Sequence, residues 1–218
     1  MDVVINTGAA EVVITPPVGT SMAGFAHDRV ARHVRDDLFA KALVVERGGE
    51  YVAIVSCDLS MLQKEMVQQV AAGVEEHLGI PASRVLIAAI HTHTGPETRE
   101  PPWDIPDIPV NKQWLAGLPK KITEAIAEAL ARCRPAEMRV GRGQEMQLSF
   151  NRLARLKDGT QVFPITHHEG DVVGPAGPID PEVGVMRFVD SVGSRDDAHI
   201  MEVVVADQVV PSVEVYAG

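Results

Sequence analysis

The chain has 218 residues, enough for one substantial domain and short for two. Hydrophobic residues make up 45% and charged residues 23%, the usage of a chain that folds around a core, which excludes disordered and fibrous classes. A net charge of -10 argues against a general nucleic-acid binder, because phosphate binding draws on clustered Lys and Arg.

Cys57 and Cys133 are too few for a disulfide framework or a thiolate metal cluster and read as ordinary buried or half-buried thiols. Met1 to Ala10 has no basic segment followed by an apolar one, and no stretch approaches the roughly 18 apolar residues of a membrane span. The expectation is a soluble, cytoplasmic chain without a transmembrane segment, or a secreted or periplasmic one if the N-terminus is incomplete. Nothing in the sequence sets the oligomeric state.

In chain order, Ala10 to Thr15 alternates as a strand does, and Pro16-Pro17-Val18-Gly19 ends it. A long loop through Gly24 and His33 follows. Leu38 to Val45 and Tyr51 to Cys57 are apolar, β-branched runs joined by Glu46-Arg47-Gly48-Gly49-Glu50, a hairpin signal, with Asp58 at a strand's end. From Leu62, the positions Met66, Val70, Val74 and Leu78 trace one helical face that Gly79-Ile80-Pro81 terminates. Arg84 to Ile90 is nearly all apolar and reads as a central strand covered on both faces.

Glu97 to Asn111, with Pro101, Pro102, Pro106 and Pro109, reads as a surface loop over the end of that strand. Trp114, Leu115, Leu118, Ile122, Ile126 and Leu130 mark a second amphipathic helix ending before Pro135. Strand material resumes at Met138 to Val140. Leu153 to Phe163 reads as a hairpin turning at Asp158-Gly159, and Val183 to Val189 and Ile200 to Val205 are further strands. Strands interleaved with two long helices give an α/β class, and the hairpins require a mixed β-sheet flanked by α-helices in one domain spanning residues 1–218.

His91 and His93 flank Thr92 directly after an apolar strand. If strand geometry persists, both side chains point to one face, because the period is two. Two imidazoles in one small volume suit a metal such as zinc, or a metal ligand beside a general base whose ordinary pKa lies near neutrality. Alone, such a pair is more often incidental. Its place at a strand's carboxyl end, with Gly95-Pro96 turning at once, is where open α/β sheets hold ligands.

The segment Ile90-His91-Thr92-His93-Thr94-Gly95-Pro96 resembles the Thr-His-Thr-His-Ser-Gly-Pro-like segment of the neutral, non-lysosomal ceramidases. The resemblance includes Ile14-Thr15-Pro16-Pro17-Val18-Gly19, Met22-Ala23-Gly24-Phe25, Asp37-Leu38-Phe39-Ala40-Lys41-Ala42-Leu43-Val44 and Ser56-Cys57-Asp58-Leu59, in the family's order. Phe150-Asn151-Arg152, Asp180-Pro181-Glu182-Val183 and Met186-Arg187-Phe188 extend it to about residues 8 to 190.

The resemblance implies a ceramidase-like catalytic domain, partial in this chain, that hydrolyses a lipid amide such as ceramide with Zn2+. It implies that His91 is a zinc ligand, His93 an acid/base for the water's proton, and Arg152 a substrate or transition-state contact, with Asp58 behind them. The bland counterparts are a loop-orienting His93 and an ion-paired Arg152.

The sequence departs from the family where a second ligating histidine, in a His-Pro pair, would follow. After Ile200 to Val205 the chain reads Ala206-Asp207-Gln208-Val209-Val210-Pro211, and no histidine comes after His199. The family's later glutamate and tyrosine are not evident either. The expectation is a truncated, frameshifted or degenerate member with an incomplete ligand set. His167-His168-Glu169 could replace the missing ligands, although consecutive histidines in such a loop are more often solvated; His27, His33, His77 and His199 read as structural or surface residues. The alternative function is a non-catalytic α/β binding module that kept the fold and lost the metal.

Overall fold

The structure, a computed structural model, describes residues 5–24, 29–99, 109–163, 170–190, 200–206 and 209–216. Three strands open the chain: β1 (Ile5–Val13), β2 (Phe39–Arg47) and β3 (Glu50–Cys57). β2 and β3 form the expected hairpin, with Gly48 and Gly49 at φ 63° and 84° carrying the turn that a side-chain-bearing residue would resist. Helix α1 (Lys64–Leu78) then crosses to β4 (Val85–Ala89), which pairs parallel with β3. Gly79, left-handed at φ 71°, ends α1 by donating its N–H to the Glu75 carbonyl.

Helix α2 (Pro109–Ala131) leads into β5 (Arg134–Gln144), and β6 (Ala154–Leu156), β7 (Gln161–Val162) and β8 (Val172–Pro175) make a separate three-stranded sheet. The turn between β6 and β7 falls at Asp158-Gly159, where Gly159 takes φ 86°. β9 (Glu182–Asp190), β10 (Ile200–Ala206) and β11 (Val209–Tyr216) complete the main sheet, ordered β11-β10-β9-β5-β1-β2-β3-β4. Among the described residues only the β3–β4 pair is parallel, so the mixed α/β sheet is mostly antiparallel.

Both helices lie on one face of the β1–β4 half. Ala10, Ala40, Ala42, Val44, Ala53 and Val55 form that face, and Val70 and Val74 of α1 and Leu118, Ile122, Ala125, Ile126 and Ala129 of α2 pack on it. Full burial of each of the larger aliphatic side chains contributes about 1.5–3 kcal/mol. The small residues let α2 come close, and Gly8 is the extreme case: a Cβ there would lie 2.1 Å from the Ala129 carbonyl oxygen. On the opposite face Leu43 packs with Phe188 of β9, and β11 approaches β2, β3 and β4, so the sheet curls back on itself.

Several expectations are corrected. β4 is the outermost strand of the main sheet among the described residues, with Leu86 51% exposed, so its apolar run does not mark a central strand. β1 begins at Ile5, ahead of the expected Ala10, because the Gly8 and Thr7 positions pair with Val44 and Val45 as readily as the apolar ones do. β5 runs from Arg134 to Gln144, well past Met138–Val140, and is exposed along most of its length; ladder pairing with β9 makes it a strand where side-chain pattern gives no sign. Pro211 lies within β11, a strand the sequence did not suggest. The reading of 97–111 as a surface loop fails at both ends: Glu97 and Thr98 are 5% and 3% exposed, and Pro109 to Asn111 open α2. Residues 100–108 lie outside the described residues.

Substituting Gly8→Ala forces backbone to move rather than a side chain, and should cost about 1–3 kcal/mol of unfolding free energy by urea titration. An unchanged midpoint would show that α2 is not seated as closely as described. Cys57 is buried, and burial, reinforced by the Asp58 charge, pushes its thiol up to about 12. Because the unfolded thiol ionises near 8.5 and the folded one far higher, the folded state holds its proton longer and loses stability as pH rises above about 9. Urea midpoints across that range should fall more steeply for the wild type than for Cys57→Ala.

Candidate active site

The histidine segment does not continue the strand. β4 ends at Ala89, and His91 adopts φ 63°, the only positive φ among the described residues other than glycine. The two side chains meet all the same: the His93 Nε2 and His91 Nε2 atoms are 3.2 Å apart, with the rings edge-on at 82° and their centroids 4.8 Å apart. Strand alternation is therefore the wrong reason for a correct pairing; a left-handed turn at the first histidine brings the second ring back to it. Histidine tolerates that region better than most residues, and non-glycine residues held there cluster at functional sites.

Backbone hydrogen bonds pin the turn on the end of β3. Ile90 N–H donates to the Cys57 carbonyl and Thr92 N–H to the Leu59 carbonyl. His91 Nδ1 lies 2.8 Å from the Ser60 carbonyl oxygen, which only accepts, so Nδ1 carries the hydrogen and Nε2 carries the lone pair that faces His93. His93 Nε2–H is then the donor in the contact between the rings. A ring fixed through one nitrogen to a carbonyl, presenting the other as a donor atom, is the usual setting of a metal-ligating histidine.

On the other side, residues 19–24 and 29–31 form a two-stranded ribbon that is not a named strand pair. Met22 N–H donates to the Arg29 carbonyl, and Ser21 bridges Val30. The ribbon's inner edge holds the segment after the histidines: Ala23 N–H donates to the Gly95 carbonyl, Met22 bridges Pro96, and Glu97 N–H donates to the Ser21 carbonyl. Gly24, at φ 93°, lies against His93, where an added Cβ would fall 2.5 Å from the ring's Cγ. Arg29 Nη2 donates to the His93 carbonyl oxygen at 2.7 Å.

Below the turn Glu97 accepts from the backbone N–H groups of Thr98 and Arg99 and from the Arg99 guanidinium, 2.8 Å away at its nearest. Burial pushes the Glu97 carboxyl up, but the hydrogen bonds and charge of Arg99 outweigh it and hold the group below the usual carboxylate range. A buried ionised carboxylate that accepts from its own loop closes that loop.

Asp58 Oδ2 accepts from Phe39 N–H at 2.9 Å and closes the β2–β3 end. Arg152 precedes β6 in the second sheet, exposed, its guanidinium 5.2 Å from the centre of the Phe163 ring. Among the described residues no hydrogen bond or ion pair joins it to either histidine. His33 and His77 are exposed, as read from the sequence. His27, His167, His168, Glu169, His199, Asp207 and Gln208 lie outside the described residues.

Whether these residues fit zinc has a divided answer. The unprotonated Nε2 of His91 fits. Among the described residues, however, no group of three His, Cys, Asp or Glu could hold a metal, and zinc sites normally need at least three protein ligands. The described residues thus supply part of a donor set.

An α/β domain with paired imidazoles on the end of a parallel strand pair is the class that fold and site define. Residues 5–161, more than half of the chain, match the family model described as neutral/alkaline non-lysosomal ceramidase, N-terminal, and the chain belongs to that family. The neutral ceramidase of Pseudomonas aeruginosa is 27% identical over 169 residues, covering 74% of this chain and 23% of that protein. The crystal structure of neutral ceramidase from the same organism superposes with a TM-score of 0.65 at 21% identity, over 89% of this chain and 31% of that one. A structure titled "Ceramidase complexed with C2" gives 0.64 at 21% identity, over 90% and 30%. The chain spans less than a third of the length of these relatives.

Sequence reasoning missed the Ser60 carbonyl, which has no sequence signature, and Arg29, which a reader would leave in a loop. Gly24 carried a signal, since it lies in the Met22-Ala23-Gly24-Phe25 segment. Gly19 and Gly24 have nearly the same φ, 96° and 93°, but a Cβ at Gly19 meets nothing within 4 Å. Gly19→Ala should therefore cost about 1–2 kcal/mol, the left-handed penalty alone, and Gly24→Ala clearly more. Equal costs in urea unfolding would contradict the packing of Gly24 on His93.

Proposed function

We propose that this chain is part of a zinc-dependent amide hydrolase of the neutral ceramidase type, acting on ceramide or a related N-acyl lipid amide. The observation that carries the reading is the His91 ring, fixed through Nδ1–H to the Ser60 carbonyl, with its unprotonated Nε2 facing His93 Nε2 3.2 Å away. Membership of the ceramidase family supports the substrate class.

In this reading His91 Nε2 is a ligand, and the remaining ligands lie outside the described residues. When bound, zinc would supply Lewis-acid polarisation of the scissile carbonyl and an easily deprotonated water. His93, through the ring nitrogen that carries no hydrogen, takes a proton from the attacking water as its oxygen bonds to the carbonyl carbon. It returns that proton to the amide nitrogen as the C–N bond breaks, releasing a fatty acid and an amine. Arg152, steadied over Phe163, meets the substrate or the developing oxyanion. The second reading, a binding module without metal, draws on the absence of a third ligand among the described residues.

Metal analysis and a fluorogenic ceramide assay on the whole chain separate the two. Wild type should hold stoichiometric zinc and hydrolyse the probe, and His91→Ala should lose both. His93→Ala should keep zinc while kcat falls about 10²–10⁴-fold, the range of a lost general acid/base. A zinc-free, inactive wild type would overturn the enzyme reading in favour of the binding module.

A further inference from the structure

We infer that Arg29 is a positioning residue for His93, a role that rests on the hydrolase reading for its catalytic meaning but on geometry alone for its existence. Three features carry it. Arg29 Nη2 donates to the His93 carbonyl at 2.7 Å, across 64 residues of sequence. The Arg29 backbone is itself fixed, its carbonyl accepting from Met22 N–H, in the ribbon whose other edge binds Gly95 and Glu97. The ring of the same His93 lies on Gly24, in the same ribbon, so close that no Cβ fits.

His93 is thus gripped at its carbonyl by Arg29 and at its ring by Gly24, while His91 is held separately from β3 through Ser60. Without Arg29 the peptide after His93 loses its carbonyl donor and relies on the longer bond from Thr94 N–H to Thr92 Oγ1, 3.3 Å, so the plane that sets the ring's direction loosens. A hydrogen bond from a guanidinium is shorter and roughly twice as strong as a neutral one, which suits it to hold an exposed carbonyl that water would otherwise solvate. Displacement of a catalytic group by about 1 Å can cost 10²-fold in rate, so the effect belongs in kcat rather than KM.

The test uses Arg29→Met, which keeps the apolar stem and removes the donors. In the whole chain with isotope-labelled histidine, wild type should show a through-space cross-peak between the His91 and His93 rings. In Arg29→Met that cross-peak should disappear while the unfolding temperature stays within a few degrees of wild type. Should the methionine variant fail to fold, Arg29→Gln, polar but too short to reach the carbonyl, is read in the same way. An undiminished cross-peak in a folded variant overturns the inference. Where wild type hydrolyses the ceramide probe, kcat should fall about 10- to 100-fold at nearly constant KM. An intact wild-type cross-peak that the variant loses, with no hydrolysis by either protein, would uphold Arg29 as the positioning group and sink only the hydrolase reading.

Discussion

The hydrogen bond from His91 Nδ1 to the Ser60 carbonyl is the interaction on which the site depends. It joins a residue just past β3 to one just past β4, neighbours only because those strands pair in parallel through the α1 crossover. It also fixes which nitrogen of His91 carries the lone pair. The backbone is bent into the left-handed region at the same residue, an unfavourable conformation that the Cys57, Leu59 and Ser60 carbonyls together hold in place. The helices matter to this indirectly. By packing Leu118, Ile122 and Ile126 against β1–β3 they make the strand ends a firm platform, and a site on a rigid platform holds its geometry better than one on a free loop.

Much of the fold was legible because hydrophobic period and turn chemistry agree. The β2–β3 hairpin, α1 with its Gly79 stop, α2 and the Asp158-Gly159 turn all combine an apolar pattern with a residue suited to the required backbone. Where pattern and pairing part company, the sequence misleads. β5 is a strand because β9 pairs with it, although its side chains are exposed and it contains Gly141 and Gly143. β4 is apolar like a central strand but lies outermost among the described residues.

The site was half legible, for similar reasons. Side chains are visible as letters, so His91 and His93 could be singled out and their convergence expected. The atoms that make them converge are a carbonyl at Ser60, a missing Cβ at Gly24 and a guanidinium at Arg29 brought back by a ribbon. Of these, only Gly24 lies in a segment that the sequence singles out. Arg152 shows the opposite case: a residue singled out by resemblance whose described contact is with Phe163, in the second sheet. Belonging to the ceramidase family accounts for the order of the segments, while the local physics accounts for the posture of the two rings.

The most direct test of the central claim is the tautomer of His91, read from the nitrogen-15 shifts of its ring in the metal-free chain at a pH where the ring is neutral. The hydrogen-bond geometry predicts a proton on Nδ1 and a bare Nε2. A proton found on Nε2 instead would contradict the account, because the Ser60 carbonyl could not then hold the ring and the nitrogen facing His93 would carry no lone pair.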